Sequence, residues 1–161
     1  MVLSLVTCAG YNGDHGMMAA LAVLVCGFAT GVGTLVLIGS AGDWVADDSL
    51  VAVLAFVLAG WLAISVGVIA RRRRPESIFG PLLAAAGFAW FISAWNNPGA
   101  GSAVVFTAGL VFYTVGLPLV AHVALSYPGG RSGHWLERGA LAVTYGGALV
   151  LQGVGPALLF N

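Results

Sequence analysis

His122 is the one side chain in this 161-residue sequence that combines proton chemistry with a place well inside an apolar run. An imidazole titrates near neutrality, and an ionisable group in apolar surroundings is a functional candidate by default. Pro118 stands four residues earlier, one helical turn away on the same face. It cannot donate a backbone hydrogen bond, so a kink is expected there. Pro118 and His122 are thus candidate sensory or kink residues; the plainer alternative is a histidine that only hydrogen-bonds a neighbouring helix. Gly27 and Gly31 form a small-xxx-small pair that would let two helices approach closely, against the plainer reading that glycine is simply common in membrane helices. Arg71, Arg72, Arg73, Arg74 and Arg131 could draw anionic lipid to one surface; a topology-fixing anchor is the plainer role. Beyond these the chemistry stops. No paired carboxylates lie in an apolar run, and there is no Ser/His/Asp set, phosphate-binding glycine loop or zinc-spaced cluster. Cys8 and Cys26 cannot build a disulfide framework or a metal site with His15, His122 and His134. No catalytic, cofactor or metal residue is assigned, and the enzyme question stays open.

The elements that carry these residues follow from composition. The chain is 60% apolar and 7% charged, and it contains no lysine. A soluble domain carries about a quarter charged residues because its surface meets water. Here that surface is missing, so the expected solvent is lipid. Apolar runs long enough for the ~20 residues that a crossing helix needs fall at about 17–40, 50–70, 78–95, 103–126 and 136–160. Alternation with period two is absent, which excludes a barrel. The expected fold is an all-α polytopic membrane bundle of about five transmembrane helices, preceded by a disordered leader over 1–16. Trp44, Trp61, Trp90, Trp95 and Trp135 mostly suit interface anchors.

All basic residues fall between spans two and three (Arg71–Arg74) or between four and five (Arg131, Arg138). Alternating spans put both loops on one side. The positive-inside rule makes that side cytoplasmic, with the N-terminus inside, Asp43, Asp47 and Asp48 outside, and Asn161 outside. The expected location is the inner (plasma) membrane, multi-pass. The bilayer is the expected partner and a homodimer is a compatible assembly. Nucleic acid is not expected, since no basic stripe covers a folded face. The lack of lysine and abundance of alanine, glycine and valine suit a bacterial genome rich in G and C.

Two segments carry a resemblance. Arg73-Arg74-Pro75-Glu76-Ser77-Ile78-Phe79-Gly80-Pro81-Leu82-Leu83 resembles the cytoplasmic turn R-R-P-x-N-x-x-G-x-L-L of the multi-pass N-terminal regions of bacterial sensor histidine kinases. His122-Val123-Ala124-Leu125-Ser126-Tyr127-Pro128-Gly129-Gly130-Arg131 resembles the H-L-x-L-x-F-P-x-G-R that closes a later span there. Ser77 replaces the usual asparagine and Tyr127 the usual phenylalanine. The resemblance covers roughly 71–138 and implies an input module for signal transduction in a two-component system. The family's phosphoacceptor and ATP-binding motifs belong to a cytoplasmic part that this sequence lacks, so no catalytic residue carries over. A chain ending outside cannot lead directly into a cytoplasmic kinase, so a truncated input region is the expectation. The five-span outline is also similar to the tryptophan-rich sensory/translocator family, though that family's Trp-Pro-rich loops are missing. A small ligand-binding or transport protein is therefore the second expectation, and a membrane protein without ligand the third.

Overall fold

A backbone in apolar surroundings must satisfy its own hydrogen bonds, and a helix does this within one segment. The computed structural model describes residues 13–40, 50–97, 101–127 and 135–150. Over them it is all-α: α1 (Gly13–Ser40), α2 (Leu50–Arg73), α3 (Phe79–Ser93), α4 (Ala103–Leu125) and α5 (Trp135–Leu149), with no strand among the described residues.

The boundaries differ from expectation in three places. α1 begins at Gly13, so residues 13–16 of the expected leader are helical; nothing in that stretch blocks a helix that the apolar run has already nucleated. α2 runs through Arg73 rather than stopping at residue 70. Arginine is a good helix former, and positive charge is favourable at a helix C-terminus. α3 is only 15 residues long, roughly 22 Å at helical rise. Beyond Ser93 the chain keeps winding, but through tighter bonds to the third residue back, Ala94 N–H to Phe91 O (3.2 Å) and Trp95 N–H to Ile92 O (3.0 Å). Residues 1–12, the aspartate turn, Pro98–Gly99, Arg131 and the stretch of the fifth span after 150 lie outside the described residues.

Small residues set the packing. α3 lies closest to α2 and next to α4; α1 leans on α2 and α3, and α5 on α4. Gly60 and Gly67 on α2, and Gly80 and Gly87 on α3, each stand seven residues apart, which keeps each pair on one face. A Cβ at Gly67 would lie 2.6 Å from the Ala84 nitrogen and 2.7 Å from the Gly80 oxygen. One at Gly87 would lie 2.9 Å from the Gly60 oxygen. The two backbones therefore touch. α3 also buries Ala84, Phe88, Ala89 and Phe91, which makes it the inner helix. α4 crosses its far end where buried Gly109 meets the Trp95–Asn96 backbone, and runs unbroken through buried Pro118.

The outward faces are apolar. Val25, Leu62, Val104, Leu117 and Val143 are all more than half exposed, a density of exposed apolar surface that soluble monomers rarely carry. Hydroxyls on these faces bond inside their own helix, Thr30 to Cys26 O (2.7 Å), Thr107 to Ala103 O (2.7 Å) and Thr114 to Leu110 O (2.9 Å), as groups without water must. His15–Ser40, Leu50–Arg73 and Ala103–Leu125 are each long and apolar enough to cross a membrane. The chain is a membrane protein.

Candidate functional site

Two regions concentrate polar groups inside this apolar bundle, one at each end of α3. At its C-terminal end, Thr34 of α1 is fully buried. Its Oγ1 accepts the indole N–H of Trp95 at 2.9 Å and donates to Thr30 O at 2.9 Å, with Phe91 O more distant at 3.4 Å. Position 34 shares the helix face of Gly27 and Gly31, which explains why this hydroxyl points inward. Gly31 lets α1 close on the rings of Trp61 and Phe91, and Gly27 lets it close on Ile64. Phe91 is wholly buried, edge-on to Trp61 and to Phe56, while Phe28 stacks on Trp61 at 5.1 Å. Trp90 stacks on Phe56 and donates its indole N–H to Phe56 O at 3.0 Å. The Trp61 indole nitrogen is buried without a partner. Phe28, Trp61, Ile64 and Ser65 line an apolar groove of about 440 Å³ between α1 and α2.

This cluster was not visible as a site in the sequence. Trp61 packs its ring on α1 and α3, and Trp95 donates to a buried acceptor, contacts beyond the interface placement that their positions suggest. The seven-residue step from Gly27 to Thr34 was the available signal. We expect Thr34→Val, which keeps the shape and deletes the acceptor, to lower stability by about 1 kcal/mol. A double-mutant cycle with Trp95→Phe, read by denaturant unfolding in detergent, should return a coupling of that order. Additive single effects would show that the bond contributes nothing.

The other region is the arginine turn. Arg71 donates through a terminal nitrogen to Pro75 O. Arg74 N–H bonds Ala70 O (2.9 Å) and Ser77 N–H bonds Arg74 O (3.1 Å). The Ser77 hydroxyl then accepts the Phe79 N–H at 3.2 Å, one residue ahead of the Ile78 N-cap of α3. Every donor that closes this turn is local, so its shape is fixed by its own sequence. Arg72, Arg73 and Arg74 are exposed, whereas Arg71 is half-buried and its Nε has no partner. Phe79 meets Tyr127 edge-on at 5.6 Å, which brings the C-terminal end of α4 to the same end of the bundle. Ser126 beside it is 1% exposed, its hydroxyl likewise unpartnered.

Pro118 sits apart from both regions, while His122 stands one turn before Ser126, whose N–H its carbonyl accepts at 3.0 Å. His122 is half-buried on α4, its ring 6.3 Å from that of Tyr145 on α5 and nearly perpendicular to it. Among the described residues no group of three or more His, Cys, Asp or Glu side chains could hold a metal. A hydroxyl–indole knot and an aromatic groove can bind and orient an apolar molecule, and an arginine turn can bind an anion. Comparison with protein-family models, with curated proteins and with solved structures finds no match to this chain.

Proposed function

We propose that the chain is a multi-pass inner-membrane sensor module, the signal-perceiving part of a system resembling two-component histidine kinases. The observation that carries the proposal is the Phe79–Tyr127 contact. It joins the two segments that resemble kinase input regions, although 48 positions separate their aromatic residues in the sequence. Their convergence gives the arginine turn and the end of α4 a common face, which in an alternating topology is cytoplasmic. The backbone-to-backbone contact of α2 with α3 makes that hairpin one unit, while α1 and α5 are held more lightly. Discrete repacking of such units is a general route from a bound stimulus to a distant output.

Two measurements test this. A fluorescent protein fused after Glu76 should fluoresce, and alkaline phosphatase fused there should be inactive, with the opposite pair of results after Asn97; fluorescence after Asn97 would overturn the orientation. The nucleotide sequence beyond the Asn161 codon should encode a further apolar span and a cytoplasmic signalling domain. A stop codon with no such coding sequence downstream, in any frame, would end the kinase reading.

The groove beside Trp61 favours a second reading, a small membrane protein that binds an apolar ligand. Saturable quenching of tryptophan fluorescence by a tetrapyrrole or a lipid, lost in Trp61→Phe, would support it.

A further inference from the structure

We infer that the arginine run is divided in function: Arg71 closes the turn, while Arg72, Arg73 and Arg74 hold the phosphate of an anionic phospholipid beside the Phe79–Tyr127 ring pair. The inference rests on the reading that this end of the bundle lies at a membrane surface.

The division follows from geometry. Arg71 spends one terminal nitrogen on Pro75 O and its Nε is buried, so this guanidinium faces the protein. The next three side chains are exposed, on a turn whose backbone is fixed by local bonds. A fixed base lowers the ordering cost of gathering three long side chains around one ligand. Guanidinium groups match phosphate oxygens through paired donors.

Charge decides the sign. Opposing the three arginines are exposed Glu76 and about half a unit of negative charge at the C-terminus of α2. The rim therefore keeps a net positive charge without counting Arg71. Tyr127 is exposed, with its ring on Phe79, and a tyrosine with a wet hydroxyl and an apolar body settles at headgroup depth. The occupant is a lipid rather than free phosphate, because apolar side chains border the charges. Ile78 is exposed in the turn itself, and Ile69, half exposed, lies one helical turn below Arg72–Arg73. A ligand with both a phosphodiester and acyl chains meets both surfaces.

The test uses the full chain reconstituted in phosphatidylcholine vesicles with spin-labelled phosphatidylglycerol or spin-labelled phosphatidylcholine as probe. The motionally restricted fraction should favour phosphatidylglycerol roughly fivefold, and 1 M salt should reduce that preference. Changing Arg72, Arg73 and Arg74 together to glutamine should bring the ratio to about one, whereas Arg71→Gln should leave it near the wild-type value. Wild-type protein without a preference, or a triple variant that retains it, overturns the inference while the membrane reading stands. Protein that fails to float with the vesicles overturns both. Should Arg71→Gln fail to fold, Arg71→Met, which removes the charge but keeps the apolar stem, provides the second variant; a preference lost in it would overturn the division.

Discussion

Replacing Gly67 by leucine should dismantle the bundle. The first added atom alone would stand 2.6 Å from the Ala84 nitrogen and 2.7 Å from the Gly80 oxygen. Both belong to the backbone of α3, so no side chain can rotate away; the helices must separate. Overpacking in a filled interior costs about 1–3 kcal/mol where side chains can adjust, and occasionally more. Here separation would also strip α3 of its contact with Val57 and Ile64, so we expect a loss of about 3 kcal/mol or more. Such a loss is a large share of the stability of an ordinary domain. Gly33 and Gly116 supply the controls. A Cβ at either position meets nothing within 4 Å, and alanine should be neutral or slightly stabilising there, since glycine is the poorer helix former by about 1 kcal/mol. Denaturant unfolding in detergent, followed by circular dichroism, separates these outcomes. Equal stability of Gly67→Leu and Gly33→Ala would mean that α2 and α3 are not packed backbone to backbone.

Truncating Phe91 to alanine should have the second-largest effect. Its ring is wholly buried, and it occupies the space that glycine leaves open at position 60, where a Cβ would lie 2.5 Å from the ring. The same ring contacts Phe56, Trp61 and the Gly31 face of α1. Its loss therefore opens a void shared by three helices. In water-soluble cores such a truncation costs about 3–5 kcal/mol. Lipid is as apolar as the side chain, so part of the transfer term disappears in a membrane, and we expect about 2–3 kcal/mol from lost packing. Gly60→Ala should partly rescue Phe91→Ala, because the new methyl enters the vacated space; failure of that rescue in a double-mutant cycle would place Phe91 elsewhere.

The helices were legible in the sequence because their limits are written in strong signals. Arg71–Arg74 with Pro75, the Asn96–Gly99 turn and the charge-free runs between them each act on the local backbone. Which helix lies inside was not legible. In a soluble bundle the buried face is the apolar one, but α3 and the exposed sides of α1 and α4 are apolar all round. Lipid and protein interior then make the same demand on side-chain polarity. What separates them is size, since close helix contact needs small residues at regular spacing. Gly60 with Gly67 and Gly80 with Gly87 carry that signal at a seven-residue step, less conspicuous in the sequence than the four-residue step of Gly27 and Gly31. Those two do adjoin Ile64, Trp61 and Phe91, as part of a layer built around α3. The tryptophans were ambiguous for a related reason. An indole suits an interface or a buried acceptor equally well, and only the fold shows that Thr34 is within reach of Trp95. Arg71–Arg74 read as one uniform run, and only the turn's hydrogen bonds set Arg71 apart.

The shortness of α3 bears on how the protein meets bilayers of different thickness. A lone helix of roughly 22 Å is mismatched to a hydrocarbon layer of about 30 Å and would force the lipid to thin around it. On the proposed topology α3 hardly meets the lipid, because α2, α4 and α1 surround it and set the hydrophobic span themselves. The mismatch then falls on the protein rather than on the membrane, at the end of α3 where Ala94 and Trp95 wind on in tighter turns. Asn97 just beyond is buried, so the protein covers this end of the short helix. On that topology a change in membrane thickness would act first on α1, α2 and α4, the helices that meet it, rather than on α3.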